Sequence, residues 1–86
     1  MAKLSANGTE AANLLIRRPT PDGPLEKKFS VRSNGIVLVN SRWAPGKWTG
    51  WKRAYRYEGD PQRIARKLQN TWQAAGFTTV CLKVQL

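Results

Sequence analysis

From Lys27 the apolar positions repeat every second residue. Phe29 and Val31 alternate with Lys28, Ser30 and Arg32, the pattern of a strand with one buried face. Asn34-Gly35 follows, a strong hairpin signal because both positions of a tight turn need positive φ. Ile36-Val37-Leu38-Val39 is β-branched or apolar throughout and reads as the returning strand. With Asn34-Gly35 as a two-residue loop, Ser33 opposes Ile36 and Val31 opposes Leu38. Phe29, Val31, Ile36 and Leu38 then share one face, and Lys28, Ser30 and Arg32 share the other with Val37 and Val39.

Pro45-Gly46 marks a second, longer connection, and a third strand is expected over 51–57. There Trp51, Arg53, Tyr55 and Tyr57 alternate with Lys52, Ala54 and Arg56, so neither face is cleanly polar. After Asp60 the period changes to that of a helix. Asp60 is a good N-cap, and Pro61 suits the first helical position, where its missing N–H has no role. Ile64, Leu68, Thr71, Trp72 and Ala75 form one stripe; Arg63, Arg66, Lys67, Asn70 and Gln73 lie opposite. Gly76 ends the helix, and Val80, Leu82, Val84 and Leu86 then alternate with polar residues as a last strand.

The first 26 residues are less regular. Ser5, Asn7 and Gly8 read as flexible, and Thr9 caps a short expected helix from Glu10 to about Arg17 with Leu14, Leu15 and Ile16 as its apolar residues. Pro19, Pro21 and Pro24 around Asp22-Gly23 break it and make 19–24 a linker or extended arm. The expected fold class is α+β: a small, mostly antiparallel sheet in β-β-β-α-β order, packed on one long C-terminal helix, with a flexible N-terminal arm. Residues 1–26 form the arm and linker, and 27–86 form a basic α+β domain.

Charge divides the chain at the same point. Residues 1–26 balance Lys3, Arg17 and Arg18 against Glu10, Asp22 and Glu26, so the net charge of +10 lies entirely in 27–86. A localised basic excess of this size points to a polyanion, because neutralised phosphates release their counterions. The plain alternative is a basic surface that only keeps the protein soluble. Met1–Gly8 has no apolar run of a signal peptide and Ile36–Val39 is too short to span a bilayer, so a cytoplasmic protein, nucleoid-associated or nuclear, with no membrane partner is expected. Cys81 is the single cysteine, which rules out an internal disulfide.

The chemistry of an enzyme is missing from this composition. With no histidine, the commonest general base and metal ligand are absent. Glu58 and Asp60 are a close acidic pair, but Asp60 is accounted for as a helix cap, so no metal site is assigned. Cys81 lacks any histidine partner and reads as a structural thiol. Gly46-Lys47 lacks the remaining glycine and hydroxyl spacing of a phosphate-binding loop. No catalytic residue and no cofactor is expected.

The stretch 42–57 interleaves Trp43, Trp48, Trp51, Tyr55 and Tyr57 with Arg42, Lys47, Lys52, Arg53 and Arg56. Cations contact phosphates and exposed rings stack on unpaired bases, so this segment is the expected nucleic-acid-binding hairpin. Tryptophan in a small domain is more often core. Trp72 is therefore expected to be buried, with at least one of Trp43, Trp48 and Trp51, while Trp48, close to Pro45-Gly46, is the best candidate for an exposed ring. Arg63, Arg66 and Lys67 on the helix are expected to continue the patch, and Lys27, Lys28 and Arg32 to extend it. Arg17 and Arg18 beside Pro19 would form a mobile basic arm.

In topology alone, three strands followed by a helix over residues 27–75, with Gly46-Lys47-Trp48 before the third strand, resemble the arm-binding domains of tyrosine integrases. That resemblance implies a sheet that reads the DNA major groove; the additional last strand departs from it. The expected function is non-enzymatic nucleic-acid binding, DNA rather than RNA, by a monomer or an edge-strand homodimer. The alternative is a small interaction module or inhibitor docking on an acidic protein surface, because tryptophan and arginine also dominate protein interfaces.

Overall fold

In the computed structural model, which describes residues 9–84, four strands precede a helix and a fifth strand follows it. The elements are β1 (Glu10–Arg18), β2 (Leu25–Arg32), β3 (Ile36–Trp43), β4 (Lys52–Arg56), α1 (Pro61–Ala74) and β5 (Thr78–Val84). The sheet runs β4-β3-β2-β1-β5, with every neighbouring pair antiparallel. The order is thus β-β-β-β-α-β, one strand more than expected, and the helix has only 14 residues.

The added strand is the segment expected to be helical. Along β1 the buried residues are Ala12, Leu14 and Ile16, a period of two, and they join the core beneath α1. Strand β1 pairs with β2 on one side and β5 on the other, so its backbone donors and acceptors are used by two ladders. Tertiary pairing of this kind overrides a weak local helix preference. Residues 19–24 are a turn instead of an arm: Thr20 and Gly23 exchange two backbone hydrogen bonds of 3.2 and 3.0 Å, closing the β1–β2 hairpin. The rest of the expected flexible arm, residues 1–8, lies outside the described residues, as do Gln85 and Leu86.

The β2–β3 hairpin forms with a register one residue away from the expected one. Val31 pairs with Val37, and Phe29 with Val39. The loop is Ser33-Asn34-Gly35, closed by the Gly35 N–H donating to the Arg32 carbonyl at 3.0 Å. Three-residue loops of this kind place a left-handed residue last, and Gly35 has φ +86°. No side chain fits there, since a Cβ would collide with the Tyr57 carbonyl. A slip of one residue exchanges the faces of a strand. Val37 and Val39 consequently lie toward the helix with Phe29 and Val31, while Ile36 and Leu38 lie on the opposite face.

Helix α1 begins as its sequence requires, with the Asp60 carboxylate accepting from the Gln62 N–H at 3.1 Å and Pro61 in the first turn. It ends with Gly76 at φ +93°; the Gly76 N–H donates to the Gln73 carbonyl and the Phe77 N–H to that of Trp72. Phe77 packs edge-on against Trp72, ring centroids 5.2 Å apart, which is the apolar contact that accompanies this cap. The face laid on the sheet is Ile64, Ala65 and Leu68, with half-buried Trp72. Thr71 and Ala75, expected on that stripe, are exposed, and the Thr71 hydroxyl donates back to the Lys67 carbonyl. The helix crosses β1, β5 and β2, so Leu14, Ile16, Phe29, Val31 and Val37 are sealed beneath it. Each such side chain contributes about 1.5–3 kcal/mol by leaving water.

Candidate nucleic-acid interface

Among the described residues, no second layer of secondary structure covers the sheet face opposite α1. Cross-strand partners point to the same side of a sheet, so the register defines which side chains share it. Arg17, Glu26 and Arg42 form one row across β1, β2 and β3. Leu15, Lys28 and Asn40 form the next, with Cys81 of β5 beside Leu15. Lys83, Asn13, Ser30, Leu38 and Arg53 follow, and then the Glu10–Arg32 and Ile36–Arg56 pairs. Arg17, Lys28, Arg32, Arg42, Arg53, Arg56 and Lys83 thus face the two carboxylates of Glu10 and Glu26.

Both carboxylates are engaged by the sheet itself. Glu26 is 1% exposed. Its Oε2 accepts from Arg17 Nε at 3.0 Å and Nη2 at 2.6 Å, and its Oε1 from Arg42 Nε at 2.7 Å. The Arg17 hydrogen bonds hold the Glu26 carboxyl below its ordinary range; burial opposes this, and Arg42 adds to the lowering. Glu10 accepts from Asn13 Nδ2 and Ser30 Oγ, each at 2.8 Å, with Arg32 3.9 Å away.

The β3–β4 connection folds back over this face. Gly50 N–H donates to Asn40 Oδ1 and Thr49 N–H to the Ser41 carbonyl, both at 2.9 Å. At its start the Ala44–Pro45 peptide is cis, and Trp43 Nε1 donates to Thr20 Oγ1 at 3.2 Å. These anchors lay Trp48 between two cations, Lys28 Nζ 4.4 Å and the Arg42 guanidinium 4.6 Å from its ring centroid. Trp51 follows and lines an open cleft of about 300 Å³ with residues of β1, β2 and β5.

The expected burial of the tryptophans is therefore corrected. None of Trp43, Trp48 and Trp51 is core: Trp43 is 53% and Trp51 48% exposed, and Trp48 is half-buried under its two cations. The core is already filled by strand and helix side chains, so the loop rings cover the polar face instead. Trp72 is half-buried against Phe29, with ring centroids 5.8 Å apart, and its indole N–H is buried without an acceptor.

The sequence-predicted basic residues divide between two sides of the molecule. Lys28, Arg32, Arg42, Arg53 and Arg56 share the open face with Trp48, and Lys47 lies on the exposed loop beside them. Lys52 pairs with Val39 and belongs to the helix side. Arg63, Arg66 and Lys67 are exposed on α1, which covers the other face of the sheet, and Lys67 Nζ lies 4.9 Å from the Tyr57 ring. The continuous surface expected from β4 into the helix is interrupted by the sheet.

Lys27 also lies on the helix side, 5.2 Å from the Trp72 ring and donating to Ser41 Oγ at 3.2 Å; burial lowers its pKa. Arg17 and Arg18 lie on β1 and are engaged within the fold, not on an arm. Arg17 is bound to Glu26, and Arg18 lies 5.1 Å from the Phe77 ring and donates to the Ala75 carbonyl at 3.2 Å. Lys83 and Asn13 were not singled out by sequence reasoning for this face, because what joins them is the β1–β5 pairing of distant segments.

Among the described residues, no helix is long and apolar enough to cross a membrane. No family model, curated protein or solved structure matches this chain.

Proposed function

We propose that the protein binds nucleic acid, DNA in preference to RNA, through the open face of its sheet and the 44–51 loop, without acting on it chemically. One observation carries the reading. Among the described residues, a sheet face with no helix over it carries seven cations, and its two carboxylates are both engaged by neighbouring side chains. Such a face is a positive platform at strand spacing, suited to a polyphosphate backbone. Trp48 and Trp51 add ring surface beside the cations, which suits unpaired bases more than a closed duplex. The absence of histidine supports binding without catalysis.

The test is the salt dependence of oligonucleotide binding. Each neutralised phosphate contributes about −0.7 to the slope of log affinity against log salt on a single strand, and about −0.9 on B-DNA. A slope steeper than about −2 is expected, corresponding to three or more phosphate contacts. A slope near zero contradicts the reading. Recovery of one stoichiometric protein partner from nuclease-treated extract, together with a flat salt dependence, would favour docking on an acidic protein surface.

A further inference from the structure

The open face carries a cleft distinct from its charge. Leu15 of β1 and Cys81 of β5 are register partners and give it an apolar base, and Trp51 closes it from the loop side. Lys28 and Lys83 stand at its borders, and the Asn13 amide, hydrogen-bonded to Glu10, brings donors and acceptors to its edge. At about 300 Å³ the cleft is at the small end of ligand pockets, roughly 300–1,000 Å³, enough for one planar ring system.

We propose that this cleft takes a single unpaired nucleobase, stacked on Trp51 and flanked by phosphates held by Lys28 and Lys83. Three features select this occupant. Trp51 is 48% exposed, so it offers a ring face at little cost in core packing. Two cations at the borders of an apolar slot match the pattern of a nucleotide, with an apolar ring between charged phosphates. Besides the two lysines, the cleft is lined by the Asn13 amide and the Glu10 carboxylate it donates to, and these would meet the hydrogen-bonding edge of a base. The inference rests on the nucleic-acid reading and narrows it to single strands or extruded bases, since a paired and stacked base cannot enter a cleft.

The experiment uses the full chain with three fluorescent 12-mers: oligothymidylate, oligouridylate and an abasic deoxyribose-phosphate strand of equal charge. The thymidylate and uridylate strands are expected to bind about 5- to 150-fold more tightly than the abasic strand, the span of one stacked base. Trp51→Ala should abolish that advantage, and Trp51→Phe should restore much of it. In the unaltered protein, alkylation of Cys81 should slow with oligothymidylate and not with the abasic strand; this readout needs no variant to fold. Equal affinity for all three strands, or no change with Trp51→Ala in a folded protein, overturns the base cleft and leaves the charged face standing. Failure of every strand, and of a 12-base-pair duplex, to bind overturns both.

Discussion

On β2, Phe29 and Val31 enter the apolar layer beneath α1, while Glu26, Lys28 and Ser30 emerge on the other side among arginines and a loop tryptophan. The two faces use alternate residues of the same strands. Beneath the helix, burial is non-directional, and any side chain of suitable volume contributes through lost water contact. On the open face the burial of Glu26 is pairwise: it is as inaccessible as Phe29, with Arg17 and Arg42 occupying its oxygens. The first face carries the stability of the fold. The second spends part of it on holding cations in fixed positions, which is what a surface for an extended polyanion needs.

The largest effect that would separate the faces is a cavity in the apolar one. Phe29→Ala should cost about 3–5 kcal/mol in denaturant unfolding, a large share of the stability of a domain this size. Breaking the buried pair on the open face should cost less. Glu26→Gln strands two guanidiniums, and a fully buried pair loses about 3–5 kcal/mol on such truncation. Arg17 and Arg42 keep 48% and 29% of their side chains in solvent, so about 2–3 kcal/mol is expected. An equal or larger loss at Glu26 would reverse the assignment of roles.

The same carboxylate sets an acid limit. Its pKa is lowered in the fold from an ordinary 4.5, so the unfolded chain takes up this proton first on acidification. The stabilisation from Glu26 is complete above about pH 4.5 and is lost as pH falls through the lower folded value. Thermal melts from pH 7 to pH 2 should show this loss in the natural protein and a weaker one in Glu26→Gln. Smaller still is the effect of Trp72→Phe at the helix end. Trp72→Phe should stay within about 1 kcal/mol of the natural protein, because it removes a buried N–H that has no acceptor, whereas Trp72→Ala should lose about 2–4 kcal/mol.

Much of the apolar face was legible in the sequence. Asp60-Pro61 and Gly76 bracket α1 because capping is local chemistry, and β2 and the Leu82–Val84 end of β5 follow from period-two alternation, which breaks at Val80, 45% exposed at a register shift against β1. Strand β1 was not legible as a strand. Leu14-Leu15-Ile16 fits either period, and the ladders that decide it come from β2 and from β5, 68 residues away in sequence at Leu14–Leu82. The β2–β3 register was hidden for a related reason: with Ile36 to Val39 all apolar, either register buries apolar side chains, and Asn34-Gly35 serves a three-residue loop as well as a two-residue one. That slip also decides the candidate site. The basic residues were visible as a composition, but their division into a sheet face and a helix face depends on the fold. The loop tryptophans illustrate the limit most clearly, since burial of a ring by Lys28 and Arg42 has no periodic signature.

The most direct test exchanges charge on the two faces separately. Lys28→Glu with Arg56→Glu alters the open face, and Arg63→Glu with Arg66→Glu makes the same net change on the exposed side of α1. Affinity for oligothymidylate should be measured from 50 to 300 mM salt after thermal melts show both proteins folded. The open-face pair is expected to weaken binding by more than tenfold and to flatten the salt slope by about 0.7 per lost phosphate contact, with a much smaller effect from the helix pair. Equal losses from the two pairs, or a larger loss from the helix pair, would contradict the assignment of the polyanion to the open face of the sheet.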